Sequence, residues 1–202
     1  MSSNKIHLLP KTHPDPAVWS RLVRCHKCFR LQSLQMSPES FSSSYQREAT
    51  FSDVEWEARL QNPLASSFTA IKMPGNNVAT DRVEELANAQ WLGMAVLYGP
   101  LEPASSESDS SVAKLHFEIF ALYVLPDARG SGIGKSLIDA AIAHGRLLGR
   151  GTGTKEVVIH ISVTPGNTKV LKLYQGLGFI DAGVAKGGES GIRRLSITVD
   201  AM

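Results

Sequence analysis

At 202 residues, 43% hydrophobic and 20% charged, the chain has the size and balance of one globular domain, or one domain with a terminal extension; a disordered chain or a coiled coil does not fit. The 21 Lys and Arg against 19 Asp and Glu leave a formal net charge of +2, so charge alone gives no reason to expect nucleic acid or a membrane surface as partner. Two cysteines exclude a disulfide framework, no window reaches the ~18 apolar residues of a membrane span, and the polar residues 1–10 do not read as a secretory signal; the expected compartment is the cytoplasm, with the nucleus as alternative.

In chain order, residues 1–14 read as an extension in which Ile6, Leu8 and Leu9 suit a short edge strand, and 15–202 as the domain proper. From Asp15 to about Gln35 the apolar residues Val18, Leu22, Cys25 and Phe29 recur at helical spacing, with Asp15 as cap, Pro16 as first helical residue and Pro38 as stop. A serine-rich connection over 40–44 follows. Ser52 with Glu55 has capping-box spacing and starts a helix that runs to about Gln61. Strands are expected over 67–73, ending at Pro74-Gly75, and over 90–98, ending at Gly99-Pro100. Residues 102–111 are almost free of apolar side chains, and a solvated, mobile loop is expected over 101–112. The run 114–125 is too apolar for a surface strand and reads as a central strand buried on both faces. After a glycine-rich loop over 126–134, a helix is expected at 136–148, a loose connector at 149–153 and a buried strand at 157–163. A helix at 167–175 follows, with Gly176 and Gly178 as C-cap candidates. A strand pair, 179–185 and 192–199, closes around Lys186-Gly187-Gly188-Glu189. This order implies an α/β or α+β domain with at least one parallel crossover.

The sharpest chemical feature is Arg129-Gly130-Ser131-Gly132-Ile133-Gly134-Lys135-Ser136, between a strand and a helix. Alternate glycines let the backbone turn and present successive N–H groups. The helix behind them adds free donors and the positive end of its dipole, which together cradle a phosphate or pyrophosphate. A plain strand–helix turn needs less glycine than this. A nucleotide P-loop requires glycine where Arg129 stands, and no later strand ends in a clear magnesium-binding Asp. A dinucleotide fingerprint requires its third glycine three residues after the second and an acid on the next strand, and strand 157–163 carries none.

Arg129-Gly130-Ser131-Gly132-Ile133-Gly134 resembles Arg/Gln-x-x-Gly-x-Gly/Ala, the pyrophosphate loop of the GNAT superfamily of acyl-CoA-dependent N-acetyltransferases. Leu122-Tyr123-Val124-Leu125-Pro126 resembles the strand end before that loop. Asn167, Val170, Tyr174, Gly178 and Phe179 resemble the second signature of the family, with Val170 where alanine is usual; residues 30–60 resemble the N-terminal helices of one branch. The resemblance spans roughly residues 20–199. It implies a mixed, mostly antiparallel twisted sheet of six or seven strands with helices on both faces. It also implies acetyl-CoA as cosubstrate, and direct transfer to a primary amine of a small molecule or peptide.

By the same resemblance, the backbone of Leu122, Tyr123 and Val124 contacts the pantetheine arm and the acetyl carbonyl. The loop Arg129, Gly130, Ser131, Gly132, Ile133, Gly134 and Lys135 holds the pyrophosphate, Asn167 bonds the arm, and Tyr174 is the acid for the leaving thiolate. Glu118 lies mid-strand in an apolar run, where a carboxylate is costly unless paired or functional. It is the candidate base, the other reading being a Glu at the sheet edge or in a buried pair with a basic side chain such as Arg193 or Arg194. His116, two residues earlier, is an alternative base, otherwise a partly exposed strand histidine, and His160 reads as a core or edge histidine. Cys25 and Cys28 have a metal-like spacing without a second ligand pair, so no metal is expected. No partner beyond the amine acceptor is implied, and the chain is taken as monomer or homodimer. The alternative of a different class is a non-catalytic acyl-CoA-binding regulatory module, which shares the loop and needs neither acid nor base.

Overall fold

The computed structural model describes residues 4–72, 81–101, 114–184 and 191–201. Most of the expected loop 101–112 and the turn at 186–189 lie outside these residues. Among the described residues are seven strands: β1 (Asn4–Leu8), β2 (Ala65–Lys72), β3 (Trp91–Leu101), β4 (Lys114–Val124), β5 (Glu156–Val163), β6 (Ile180–Val184) and β7 (Arg193–Asp200). They form one open sheet in the order β1-β2-β3-β4-β5-β7-β6, accompanied by six helices. β1 pairs antiparallel with β2, and β7 antiparallel with both β5 and β6, while β4 runs parallel to β5. This is the α/β architecture expected from the sequence, with one parallel crossover in a mostly antiparallel sheet.

The chain forms two compact units: Met1–Ala95 with Ala121–Leu137, and Val96–Phe120 with Ile138–Met202. In the first, α1 (Pro16–Met36) starts as its sequence dictates. The Asp15 carboxylate accepts from the N–H groups of Ala17 and Val18, with Pro16 in the first turn. α1 contacts α2 (Tyr45–Ala49), α3 (Asp53–Gln61) and α4 (Arg82–Asn88). Leu22, Phe29 and Leu34 of α1, Trp56 and Leu60 of α3, Leu86 of α4, and Ile71 and Met94 of the sheet are all buried here. Each large apolar side chain so buried contributes about 1.5–3 kcal/mol. α3 has the capping box expected of Ser52 and Glu55. Neither α2 nor α4 is foreseen: five and seven residues are too few for a readable period, although Asp81 caps α4 and Glu84 and Glu85 occupy its first turn.

The second unit holds the rest of α5 (Ile133–Gly151) and α6 (Thr168–Gly176). Its core includes Leu97, Phe117, Ile119, Ile138, Val157, Ile159, Tyr174, Phe179 and Leu195. Three expectations are corrected. β4 is not buried on both faces: Phe120 is 44% exposed and its ring lies 5.7 Å from that of Tyr98. β3 does not stop at Gly99-Pro100 but continues to Leu101. α5 is longer at both ends than 136–148, so Gly134 and Lys135 belong to its first turn, and most of the supposed connector 149–153 is helical to Gly151.

Candidate active site

The pairing of β4 with β5 runs from Lys114↔Glu156 to Ile119↔Ile161, and β4 continues to Val124 past that last pair. Ala121, with φ of 53°, interrupts the extended backbone just beyond it; left-handed conformation in a residue with a Cβ costs about 1–2 kcal/mol. The Leu125 N–H donates to the Leu92 carbonyl of β3 at 2.9 Å. Strand alternation then turns the backbone groups of Tyr123 toward β3 as well, and those of Leu122 and Val124 away from it. The Val124 carbonyl accepts from Arg129 Nε at 3.0 Å.

Between β4 and α5, the 3-10 turn Pro126–Ala128 is closed by Arg129 N–H donating to the Pro126 carbonyl at 3.1 Å. Gly130 and Gly132 have φ of 79° and 84°, the left-handed region that favours glycine. A Cβ at either would meet nothing within 4 Å, so they are needed for backbone conformation, and the space over them is open. The first helical bond of α5 runs from Ser136 N–H to the Gly132 carbonyl at 3.0 Å. The N–H groups of Gly132, Ile133 and Gly134 precede that ladder at the positive end of the helix dipole. Ser131 Oγ donates to the Ala128 carbonyl at 2.6 Å and pins the turn. Gly93 lets α5 come close: a Cβ there would stand 3.0 Å from the Tyr123 carbonyl and 3.1 Å from both Ile133 and Leu137.

In the second unit, Glu118 is neither isolated nor paired with Arg193 or Arg194. The Ser162 hydroxyl donates to its carboxylate at 3.2 Å, and Arg193 pairs with Asp181. His116 is buried, not partly exposed, and its Nδ1 lies 3.2 Å from His160 Nε2 with the rings stacked. Burial, then the charges of Arg194 and His116, push His160 down to about 4, so this histidine is neutral near pH 7. Asn167 caps α6, its Oδ1 accepting from Val170 N–H at 3.3 Å. Tyr174 is buried against Phe179, ring centroids 6.0 Å apart, and burial pushes its phenol well above the usual tyrosine range.

The structure thus gathers Leu122–Val124 and Arg129–Lys135 in the first unit, and Glu118, His116, His160, Asn167 and Tyr174 in the second. Sequence reasoning missed Ser162 and the meeting of the two histidines, because both depend on the β4–β5 register, which no local pattern encodes. It also missed Ser37, whose Oγ accepts from Arg129 Nη2 at 3.4 Å. Among the described residues no group of three His, Cys, Asp or Glu is placed to hold a metal ion. Cys25 instead donates to the Ala87 carbonyl at 3.1 Å. No described helix is long and apolar enough to cross a membrane.

Residues 35–179 match the family model described as the acetyltransferase (GNAT) family. The chain belongs to that family. The fold of this acetyltransferase is similar to that of a protein of Acinetobacter baylyi assigned as an acetyltransferase, at 16% identity and TM-score 0.60, covering 98% of this chain and 94% of that one. It is similar too to the GNAT domain of S. lividans PAT, at 17% identity and TM-score 0.58, covering 97% and 90%. A third similar structure is a chain of the NatC complex bound to Gag peptide and CoA, at 18% identity and TM-score 0.53, covering 98% of each. A sequence search of curated proteins finds no match.

Proposed function

We propose that this acetyltransferase moves the acetyl group of acetyl-CoA directly to a primary amine of a small molecule or peptide. The observation that carries the proposal is the placing of Gly130 and Gly132, both at positive φ with open space above them, ahead of the first helical bond of α5. A row of main-chain N–H groups at a helix N-terminus fits a diphosphate. Backbone groups of Leu122 and Val124 that face away from β3 fit an amide-bearing arm, which would add to β4 as a further strand does. When bound, acetyl-CoA supplies an acyl group activated as a thioester.

In this proposal Arg129 through Lys135 hold the diphosphate, and Leu122, Tyr123 and Val124 receive the arm. Asn167 commits its Oδ1 to the α6 cap and has its Nδ2 to offer the arm. Glu118, oriented by the Ser162 hydroxyl, takes the proton that the acceptor amine must lose before it can attack; His116 is the alternative. Tyr174 holds a proton at Oη for the departing sulfur, and its burial keeps that proton in place up to high pH. Main-chain N–H groups of β4 stabilise negative charge that develops on the acyl oxygen. We also propose a cytoplasmic place, or a nuclear one, consistent with the free thiols of Cys25 and Cys28.

Titration calorimetry with CoA and acetyl-CoA tests the cradle, and thiol release from acetyl-CoA across a panel of primary amines tests the transfer. Heat with CoA and thiol release with some amine are expected. Absence of heat sinks the proposal; heat without thiol release from any amine leaves the non-catalytic binding module.

A further inference from the structure

In the second unit, a group of side chains from β4 and β5 shares one face of the sheet. Glu118 and Phe120 are two residues apart on β4, ahead of the break at Ala121, and so point the same way. His160 is the register partner of Glu118, and the Ser162 hydroxyl, two residues on, donates to the Glu118 carboxylate at 3.2 Å. His116 stacks on His160 on the same side. The cover over this face is uneven. His116, Val158 and His160 are buried, whereas Glu118 is half-buried and Phe120, at 44% exposure, is the one exposed residue of β4. The face is therefore closed over the histidines and open from Glu118 to Phe120.

What the opening presents is apolar. The Phe120 ring lies 5.7 Å from the half-buried ring of Tyr98, in the same unit, and the two form a shelf with the Glu118 carboxylate beside it. A single surface ring calls for no explanation. This one stands on the strand and the face of the candidate base, and the apolar part of a molecule bound there would restore the burial that the ring forgoes in water. Charge adds a second selection. On β7, Arg194 is the register partner of Ser162 on this face, and its Nε is buried without a partner among the described residues. The positive charge it brings to the Ser162 side opposes a second ammonium.

We propose that the acceptor of this enzyme is a monoamine with an apolar body, which lies on the Phe120 and Tyr98 rings while its nitrogen meets Glu118. The proposal rests on the acetyl-transfer reading above, with Glu118 as base. Phe120 is then the residue that sets acceptor specificity, and it does so through binding, not through proton transfer.

The test compares kcat/KM, read by thiol release from acetyl-CoA, along ethylamine, propylamine, butylamine and pentylamine, which differ in apolar length and hardly in basicity. Wild type is expected to gain about two- to fourfold per methylene, the factor that partial to full burial of a methylene supplies. It should also use butylamine about tenfold better, or more, than putrescine, its diamine counterpart. Phe120→Leu keeps an apolar group and should keep much of the slope, whereas Phe120→Ala should flatten it through KM. A merely structural ring predicts otherwise for Phe120→Ala: a lowered urea midpoint, one common loss for every amine and the slope per methylene intact. Phenylalanyl-glycyl-glycine and seryl-glycyl-glycine, assayed alongside, distinguish a free amine from the first side chain of a peptide as the source of the apolar body. Equal kcat/KM along the amines and between the two peptides, a slope that survives Phe120→Ala, or preference for the diamine overturns this inference alone. Absence of thiol release with every amine and peptide overturns the acetyl-transfer reading and this inference with it.

Discussion

Arg129 Nε donates to the Val124 carbonyl at 3.0 Å, so the first residue of the glycine loop is tied back to the end of the strand before it. The same guanidinium reaches Ser37 Oγ through Nη2. Arg129 is exposed, and its bonds contribute little to the fold, about 1 kcal/mol or less. In the proposed function these bonds set how the loop leaves β4 to meet the diphosphate. Arg129→Ala is therefore expected to weaken CoA binding about tenfold with the urea midpoint nearly unchanged. Arg129→Lys should fall between, since an ammonium cannot serve Val124 and Ser37 in a planar fork. Calorimetric titration with CoA, beside urea unfolding, checks both.

Gly93 sits under the start of α5. An alanine there places its methyl about 3.0 Å from the Tyr123 carbonyl, which is main chain and cannot rotate aside, and 3.1 Å from Ile133 and Leu137. Overpacking of this kind costs about 1–3 kcal/mol. The expected result for Gly93→Ala is a stability loss of that order together with weaker CoA binding, because the element pushed outward carries the donors. A loss of stability with CoA affinity intact would show that the loop is positioned independently of this contact.

Much of this arrangement is legible before any coordinates. Asp15-Pro16 and the Ser52–Glu55 box announce two helices because caps act within four residues, and the glycine loop is written out in eight. What escapes is set by distance along the chain. His116 and His160 meet only because β4 and β5 run parallel in one register, and Ser162 reaches Glu118 for the same reason. The apolar run of β4 promises burial on both faces, but Phe120 meets Tyr98 at the surface instead; composition alone does not separate an aromatic pair at a half-open face from a core. The start of α5 inside the glycine motif also escapes, since the positive φ values end at Gly132 and nothing local marks that residue as the last.

The proposed acid and base separate cleanly by mutation. Glu118→Gln keeps a hydrogen bond with Ser162 and removes the proton acceptor; Tyr174→Phe removes only the hydroxyl. Each is expected to lower kcat about 100-fold or more, the usual range for a positioned proton donor or acceptor, with CoA binding retained. Burial raises the Tyr174 phenol, so a falling alkaline limb near pH 9–10, the range of an ordinary tyrosine, is not expected from this residue. Wild-type activity in Glu118→Gln would return His116 to the role of base.

Glu48 is buried between Arg30 and Arg59. Burial on its own would raise its pKa; the hydrogen bond and charge of Arg30, the Ser43 hydroxyl and Arg59 outweigh burial and hold it below the usual carboxylate range. A depressed carboxylate contributes stability above its unfolded pKa and loses it as pH falls through the folded one. Acid unfolding should therefore draw on this pair at low pH. Glu48→Gln removes the charge and leaves the buried Arg30 guanidinium uncompensated, which is expected to cost about 3–5 kcal/mol at neutral pH. Urea unfolding at neutral and acid pH measures both effects, and in the variant the acid sensitivity should shrink.

Two buried histidines make a separate contribution at milder pH. His26, in the first unit, is pushed down to about 4 by burial and by Arg59 and Arg30, against the opposing charge of Glu48. His160, in the second, is pushed to about 4 by burial, Arg194 and His116. Unfolded, each binds a proton near pH 6.5, so between about pH 6.5 and 4 the unfolded state holds more protons than the folded one. Stability is then complete above pH 6.5 and falls as pH drops through that window. At about 1.4 kcal/mol per pH unit, the whole window is worth roughly 3 kcal/mol for each residue. Replacing His26 with Leu, which cannot take up a proton in either state, should flatten the dependence of the urea midpoint on pH, and His160→Leu should do likewise. A slope unchanged by both substitutions would mean that neither histidine enters the folded state neutral.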